Sequence, residues 1–132
     1  MKKILCILLT ALTLFALLAP GALAAAKDTD TSGTVETFTI TSGGYASVKG
    51  RYYGKTGTTG ATITIKLQKK FLLFFWSDVD GAEWTDYKSG QDNSASHGFQ
   101  LSSTGSYRAV YTYDLYGTGT TDHIEKTAEA SY

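Results

Sequence analysis

The sequence predicts an all-β fold, an antiparallel sandwich of about seven short strands. Three observations predict it. Thr, Tyr, Val and Ile dominate the chain after residue 34, and β-branched and aromatic residues favour strands. Apolar and polar residues alternate with period two in several segments, as in strands with one buried face. Glycine-containing breaks separate these segments, and no stretch shows helical periodicity. One small sheet closed on itself is the alternative arrangement.

The alternating segments define the side chains that we expect in the core. The breaks between them are residues 42–44, 54–60, 89–93, 103–105 and 117–119, and the final segment, 123–132, is less regular. We expect most of the tyrosines to pack in cross-strand pairs with their hydroxyls in water. The apolar positions of the alternation are Phe38, Ile40, Ala46, Val48, Tyr52, Ala61, Ile63, Ile65, Leu67, Phe99, Leu101, Tyr107, Ala109, Tyr111 and Tyr113.

Residues 1–24 have the pattern of a cleaved secretory signal peptide. A short basic start is followed by an apolar run over residues 4–19, the helix-breaking Pro20-Gly21 and the small-residue cleavage site Ala22-Leu23-Ala24. Cleavage after Ala26 also fits the pattern. An uncleaved membrane anchor is the alternative, but a spanning helix needs about 20 apolar residues and this run is shorter. The segment therefore predicts a secreted, extracellular protein.

Removal of the signal peptide changes the composition of what remains. The 12 basic and 12 acidic residues of the whole chain balance, but Lys2 and Lys3 leave with the signal peptide, so the remainder is slightly acidic. That balance argues against nucleic acid as a partner. Cys6 is the only cysteine and lies inside the apolar run, which argues against lipoprotein processing and leaves the domain without a disulfide. Small polar residues over 25–34 predict a flexible leader before a domain at 35–132.

Residues 71–76 form the most unusual stretch after the signal peptide, because all six are apolar and they directly follow two lysines. One interpretation is core or edge packing, since a strand buried on both faces is continuously apolar. The other is an exposed element that contacts a lipid surface, a protein partner or a second copy. The lysines would assist at an anionic surface. The candidate binding residues are Lys69, Lys70, Phe71, Leu72, Leu73, Phe74, Phe75 and Trp76.

No motif in the sequence predicts catalysis, a cofactor or a metal. Residues 78–83 cluster three carboxylates in a predicted solvated turn, but their spacing does not match the EF-hand pattern. His97 and His123 are the only histidines, and no cysteine accompanies them in a zinc pattern. Ser94 and Ser96 lie near His97 without a nucleophile-elbow pattern. We therefore expect a protein that is not an enzyme and needs no cofactor.

Ser103-Thr104-Gly105-Ser106-Tyr107 resembles the tyrosine corner of immunoglobulin-like sandwiches. In that corner a tyrosine hydroxyl near the start of strand F bonds the backbone a few residues upstream. Tyr107 stands at this position, and Ala109 stands where a disulfide-bonded domain has a cysteine. The resemblance implies an antiparallel immunoglobulin-like β-sandwich without a disulfide, with structural roles for Tyr107, Gly105 and Trp84.

A wider pattern resembles small exported proteins of Gram-positive, clostridia-like bacteria. It runs from Leu67-Gln68-Lys69-Lys70 through Trp76, Val79 and Trp84 to Gly105-Ser106-Tyr107-Arg108. The resemblance implies export and a sandwich fold, and it assigns no site residues. Taken together, the sequence predicts a secreted, non-catalytic binding or interaction module of unspecified partner. The alternative is a secreted, bacteriocin-like antagonist that acts on membranes.

Overall fold

The structure is a computed structural model that describes residues 30–132. The predicted signal peptide at 1–24 and the leader residues 25–29 lie outside the described residues. Within 30–132 all helical or strand structure is β-strand, and that range contains no cysteine. In the same range, no helix with the length and apolar character needed to cross a bilayer is found.

Seven antiparallel strands form two sheets, which confirms the predicted all-β class. The strands are β1 (Thr31–Ile40), β2 (Tyr45–Gly54), β3 (Gly60–Phe71), β4 (Phe75–Ser89), β5 (Asp92–Gln100), β6 (Ser106–Tyr116) and β7 (Asp122–Ser131). One sheet has the order β1-β2-β5 and the other the order β4-β3-β6-β7. Because the strands divide between two separate sheets, the single closed sheet is wrong.

The core lies between the sheets and is built from the alternating positions. Along β3, every second side chain from Ala61 to Leu67 is fully buried, and the residues between them face outwards. This pattern follows from the two-residue repeat of a strand. The buried cluster comprises Ala46, Val48, Tyr52, Ala61, Ile63, Ile65, Leu67, Ala82, Ala95, Leu101, Tyr107, Ala109, Tyr111, Tyr113 and Leu115, with Phe38, Ile40 and Phe99 packed against it.

Several tyrosines lie deeper than the sequence predicts. Tyr52, Tyr111 and Tyr113 are fully buried, so the expectation that such hydroxyls face water is wrong for them. The Tyr111 hydroxyl instead donates to the Thr37 carbonyl oxygen at 2.7 Å, and the Tyr52 hydroxyl donates to the Gly90 carbonyl oxygen at 2.8 Å. Burial of a hydroxyl is tolerated when it has a hydrogen-bond partner, and these backbone carbonyls supply one for Tyr111 and Tyr52. The buried Tyr113 hydroxyl has no such carbonyl partner.

The first strand starts earlier than the predicted domain boundary at residue 35. β1 begins at Thr31, and both Asp30 and Thr31 are buried. The Asp122 carboxylate accepts hydrogen bonds from the backbone amides of both residues, each at 2.8 Å. The Asp30 carbonyl oxygen accepts from the Thr58 hydroxyl at 2.7 Å. The predicted leader over 25–34 is therefore wrong from residue 30 onwards, because partners distant in sequence order this polar segment.

The predicted acidic turn at 78–83 is also wrong, because these residues belong to β4. The register of β3 against β4 jumps from Lys66 opposite Glu83 to Gln68 opposite Asp78, which leaves an irregular bulge between them. Gly81 lies in this bulge at a φ of 76°, a left-handed conformation that glycine adopts without steric cost. The bulge lets one long strand continue where the sequence suggests a reversal.

Tyr107 makes the hydrogen bond of a tyrosine corner. It is the second residue of β6, and its hydroxyl donates to the Ser103 carbonyl oxygen at 2.5 Å. Gly105, at a φ of 149°, exchanges two backbone hydrogen bonds with the last residue of the chain, Tyr132, at 2.9 and 3.0 Å. These contacts join the loop before β6 to the end of β7.

Candidate functional site

The candidate site is the end of the β3–β4 hairpin. Residues 71–75, called the apolar tip below, are five consecutive large apolar side chains that are each 60–81% exposed. Phe71 pairs with Phe75, and residues 72–74 form the turn between the strands. The interpretation of this stretch as a buried strand is therefore wrong, and the exposed alternative describes its position.

The apolar tip is exposed because the hairpin extends past the rest of its sheet. β3 pairs with β6 only as far as Lys69 opposite Tyr107, whereas its pairing with β4 continues to Phe71 opposite Phe75. From residue 70 onwards the hairpin is a two-stranded ribbon with no further strand beside it. Side chains of successive residues point to opposite faces of such a ribbon. The apolar tip consequently presents hydrophobic side chains to solvent on both faces.

The turn itself carries a backbone outlier. Leu72 has a φ of 54°, which is the only positive φ of a non-glycine residue within the described range. The left-handed conformation costs an L-residue about 1–2 kcal/mol, and a bulky residue rarely adopts it. Glycine would fit this turn without that cost. A leucine here places a large apolar side chain, 68% exposed, at a position where the backbone alone would favour glycine.

Basic side chains surround the base of the hairpin. The Lys70 ammonium lies 5.5 Å from the centre of the Trp76 ring, and the Arg108 guanidinium carbon lies 4.6 Å from it. On the other face, the Lys69 ammonium donates to the Ser103 hydroxyl at 2.7 Å and lies 5.7 Å from the Tyr107 ring centre. We call Lys69, Lys70 and Arg108 the basic collar. It separates the apolar tip from the body of the domain.

Asp78, a carboxylate beside the hairpin, is engaged with neighbouring side chains. Asp78 accepts a hydrogen bond from the Gln68 amide at 2.6 Å and lies 3.6 Å from the Lys66 ammonium. The Gln68 hydrogen bond, followed by the Lys66 charge, lowers the pKa of Asp78 below its ordinary value. Gln68 also accepts from the Arg108 guanidinium at 2.7 Å. These hydrogen bonds hold Arg108 beside Trp76. None of these contacts brings a carboxylate to the Lys70 ammonium.

The two histidines lie elsewhere and make structural contacts. The His97 ring stacks on Trp84 with ring centres 4.9 Å apart, and its Nε2 atom lies 2.5 Å from an Asp86 carboxylate oxygen. Trp84 thereby joins β4 to β5 across the two sheets. His123 pairs with Asp114 on the outer face of β6 and β7, at 2.6 Å between Nδ1 and the carboxylate oxygen. Within residues 30–132, no group of three potential metal-binding side chains is found.

Two open depressions lie away from the hairpin. One, of about 320 Å³, is on the three-stranded sheet, and the other, of about 300 Å³, is between the edges of β1 and β7. Most of the residues that line them have polar side chains. The first is lined by Thr37, Thr39, Tyr45, Ser47, Val48, Lys49, Ser96, His97 and Gly98, and the second by Thr31, Ser32, Gly33, Thr34, Glu36, Ile124 and Lys126.

Most members of the site were named from the sequence, and one was not. Residues 69–76 lie together at the hairpin because they are contiguous in the chain. Arg108 joins them from β6 because Gln68 lies opposite it in the strand register. Its place in the Gly105-Ser106-Tyr107-Arg108 motif belongs to the resemblance to small exported proteins, which assigns no site residues. Arg108 can be identified as a neighbour of Trp76 only if the register of β3 against β6 is predicted.

Comparisons with protein-family models, with curated proteins and with solved structures find no match for this chain. The geometry and chemistry of the hairpin are therefore what points to a function.

Proposed function

We propose that this protein is an exported, non-catalytic interaction module that contacts its partner through the apolar tip. One observation carries the proposal, the exposure of five consecutive large apolar residues at the end of a projecting hairpin. Contiguous exposed apolar surface is uncommon in proteins that act alone, and it usually marks an interaction site. Export is proposed from the signal-peptide pattern of residues 1–24.

The strand order supports an immunoglobulin-like topology for the module. In such sandwiches strands A, B and E share one sheet, and strands C, F and G share the other. Here β1, β2 and β5 form one sheet, while β3, β6 and β7 are neighbours in the second. β4 then takes the place beside strand C that an additional strand occupies in variable-type domains. Tyr107 lies at the start of the strand that corresponds to F, where a tyrosine corner belongs.

The unfavourable conformation and exposure of the apolar tip support a role in contact with a partner. Leu72 retains an unfavourable backbone conformation, and the exposed side chains add little to the stability of the isolated domain. Strained residues persist where the surrounding structure and function require them. A hairpin maintained only for folding would have polar residues and a glycine in its turn.

The first test separates contact from core packing. We expect the combined replacement of Leu72, Leu73 and Phe74 by serine to change the free energy of unfolding by less than about 1 kcal/mol, because these side chains are already in water. Urea denaturation followed by tryptophan fluorescence measures the change. The matched control is Leu67→Ala in β3, the strand that leads into the turn. Leu67 is 1% exposed, and its replacement should cost about 2–5 kcal/mol. A loss of several kcal/mol in the triple variant would place the tip in the core and end the proposal.

The exposed tip also favours the second candidate, a secreted antagonist that permeabilises membranes. Dye release from anionic vesicles distinguishes the two functions. Release at micromolar protein that disappears in the triple serine variant would support the antagonist. An intact vesicle barrier under the same conditions would remove it.

A further inference from the structure

We propose that the partner of the apolar tip is the surface of an anionic lipid bilayer, into which the tip inserts to interfacial depth. The inference rests on the proposed function, since it assigns the partner of the same surface. Its basis is the shape of the tip, the charge of the collar and the position of Trp76.

The distribution of apolar side chains over both faces of the ribbon favours lipid over a protein groove. A groove in a protein covers one face of an added strand, and its pockets receive alternate side chains. Here the side chains on both faces and in the turn are apolar and exposed. A hydrocarbon environment surrounds an inserted element on every side. It can therefore bury all five residues at once.

The length of the projection matches the depth of the bilayer interface. The ribbon extends beyond the sheet from residue 70 to the turn, three to four residues, or about 10 Å at about 3.3 Å per residue. Interfacial elements are buried about 5–10 Å into the boundary between headgroups and acyl chains. The pairing of Phe71 with Phe75 satisfies part of the ribbon backbone, while the unpaired groups of the turn disfavour deeper insertion.

The charges at the base of the tip complement anionic headgroups. Residues 69–77 contain two lysines and no acidic residue, in a chain whose basic and acidic residues balance overall, whereas the nearby Lys66 is paired with Asp78. Arg108 adds a further cation beside Trp76. Each basic residue near an anionic surface contributes about 1 kcal/mol of binding. Trp76 lies between the tip and the body, and tryptophan is enriched at this level of membrane proteins because its ring is apolar while its N–H is polar.

A second copy of the chain is a weaker occupant of the tip. Five side chains of about 150–200 Å² each, at the observed exposure, offer roughly 500–700 Å². A stable dimer buries about 800 Å² on each partner. Two collars of Lys69, Lys70 and Arg108 would also face each other and repel. The same charges attract an anionic membrane.

The test is cosedimentation of residues 25–132, the chain that remains after removal of the proposed signal peptide, with large unilamellar vesicles. One set contains equal amounts of phosphatidylglycerol and phosphatidylcholine, and the other contains phosphatidylcholine alone. All variants share residues 25–29, so differences between them report the hairpin. We expect Leu73→Ser to lower the partition coefficient on the anionic vesicles at least about tenfold, because buried methylene groups drive insertion. Lys70→Gln should lower it about fivefold on anionic vesicles and leave binding to phosphatidylcholine unchanged.

The control variant is Val35→Ser, since Val35 is an apolar residue that is 52% exposed on the other sheet. Its partition coefficient should equal that of the unmodified chain. Absence of binding to the anionic vesicles, or equal binding by Leu73→Ser, overturns the lipid inference.

Sedimentation equilibrium then shows whether the lipid inference fails alone or together with the proposed function. A dimer that Leu73→Ser converts to monomer would leave the tip as a contact surface with a protein partner. Leakage of vesicle contents at bound protein would also overturn peripheral docking in favour of permeabilisation.

Discussion

The hydrogen bond from Tyr107 to Ser103 permits a quantitative prediction about how the domain is held together. Replacement of Tyr107 by phenylalanine removes one hydroxyl from a side chain that is 2% exposed, and the ring that fills the core remains. The hydroxyl donates to the Ser103 carbonyl oxygen at 2.5 Å. Loss of such a bond costs about 1 kcal/mol net, and the acceptor left without its donor raises the cost towards about 3 kcal/mol. We expect a loss of about 2 kcal/mol.

For a domain of this size, that loss lowers the unfolding midpoint by about 8–16 °C. Urea denaturation followed by tryptophan fluorescence gives the free energy directly, provided that the denaturant slope is unchanged. The matched control is Tyr87→Phe, because the Tyr87 side chain is 63% exposed and the same hydroxyl loss should then cost less than about 0.5 kcal/mol. Equal effects of the two substitutions would refute the argument that this hydrogen bond fastens the loop before β6.

Two further predictions concern the hairpin turn and the buried tyrosines. Leu72→Gly removes a left-handed conformation that costs about 1–2 kcal/mol, while the added freedom of the unfolded chain returns about 0.5–1 kcal/mol. Thermal denaturation should therefore show a midpoint that is unchanged or higher, and a clear decrease would mean that the Leu72 side chain is needed for packing. In the core, burial followed by the charge of Glu36 raises the pKa of Tyr111 and of Tyr113 above the ordinary value of 10.0. Below pH 10 both hydroxyls are protonated in the folded and in the unfolded state. Above pH 10 these tyrosines ionise only in the unfolded state. The free energy of unfolding should therefore fall as the pH rises above 10. Phenolate absorbance followed together with circular dichroism checks this, and ionisation of all nine tyrosines before any loss of structure would contradict it.

Much of the fold could be predicted because strands leave a short-range pattern in the sequence. The alternation of Ala61, Ile63, Ile65 and Leu67 identifies the inner face of β3 without reference to any other strand. Tyr107 could be assigned to a corner because its partner, Ser103, is only four residues away. Local patterns of this kind are sufficient where the interacting residues are close in the chain.

Predictions failed where a distant partner changes the outcome. Residues 30–34 are small and polar, yet Asp122 and Thr58 order the start of this segment through hydrogen bonds to its backbone. Residues 78–83 have the composition of a turn, but the pairing with β3 resumes on both sides of a bulge and keeps them in a strand. In both segments, backbone partners elsewhere in the fold outweigh the local preference of the residues.

The sequence by itself determined the apolar inner faces of β2, β3 and β6, and that six consecutive apolar residues follow two lysines. It left the position of those six residues open, since a buried strand and an exposed tip have the same composition. Only the tertiary structure decided between them. β6 ends its pairing at Lys69, so residues 71–75 project beyond the sheet, and the same register brings Arg108 to Trp76. The exposure of a segment depends on where its neighbouring strands end, and that is a property of the assembled sheets.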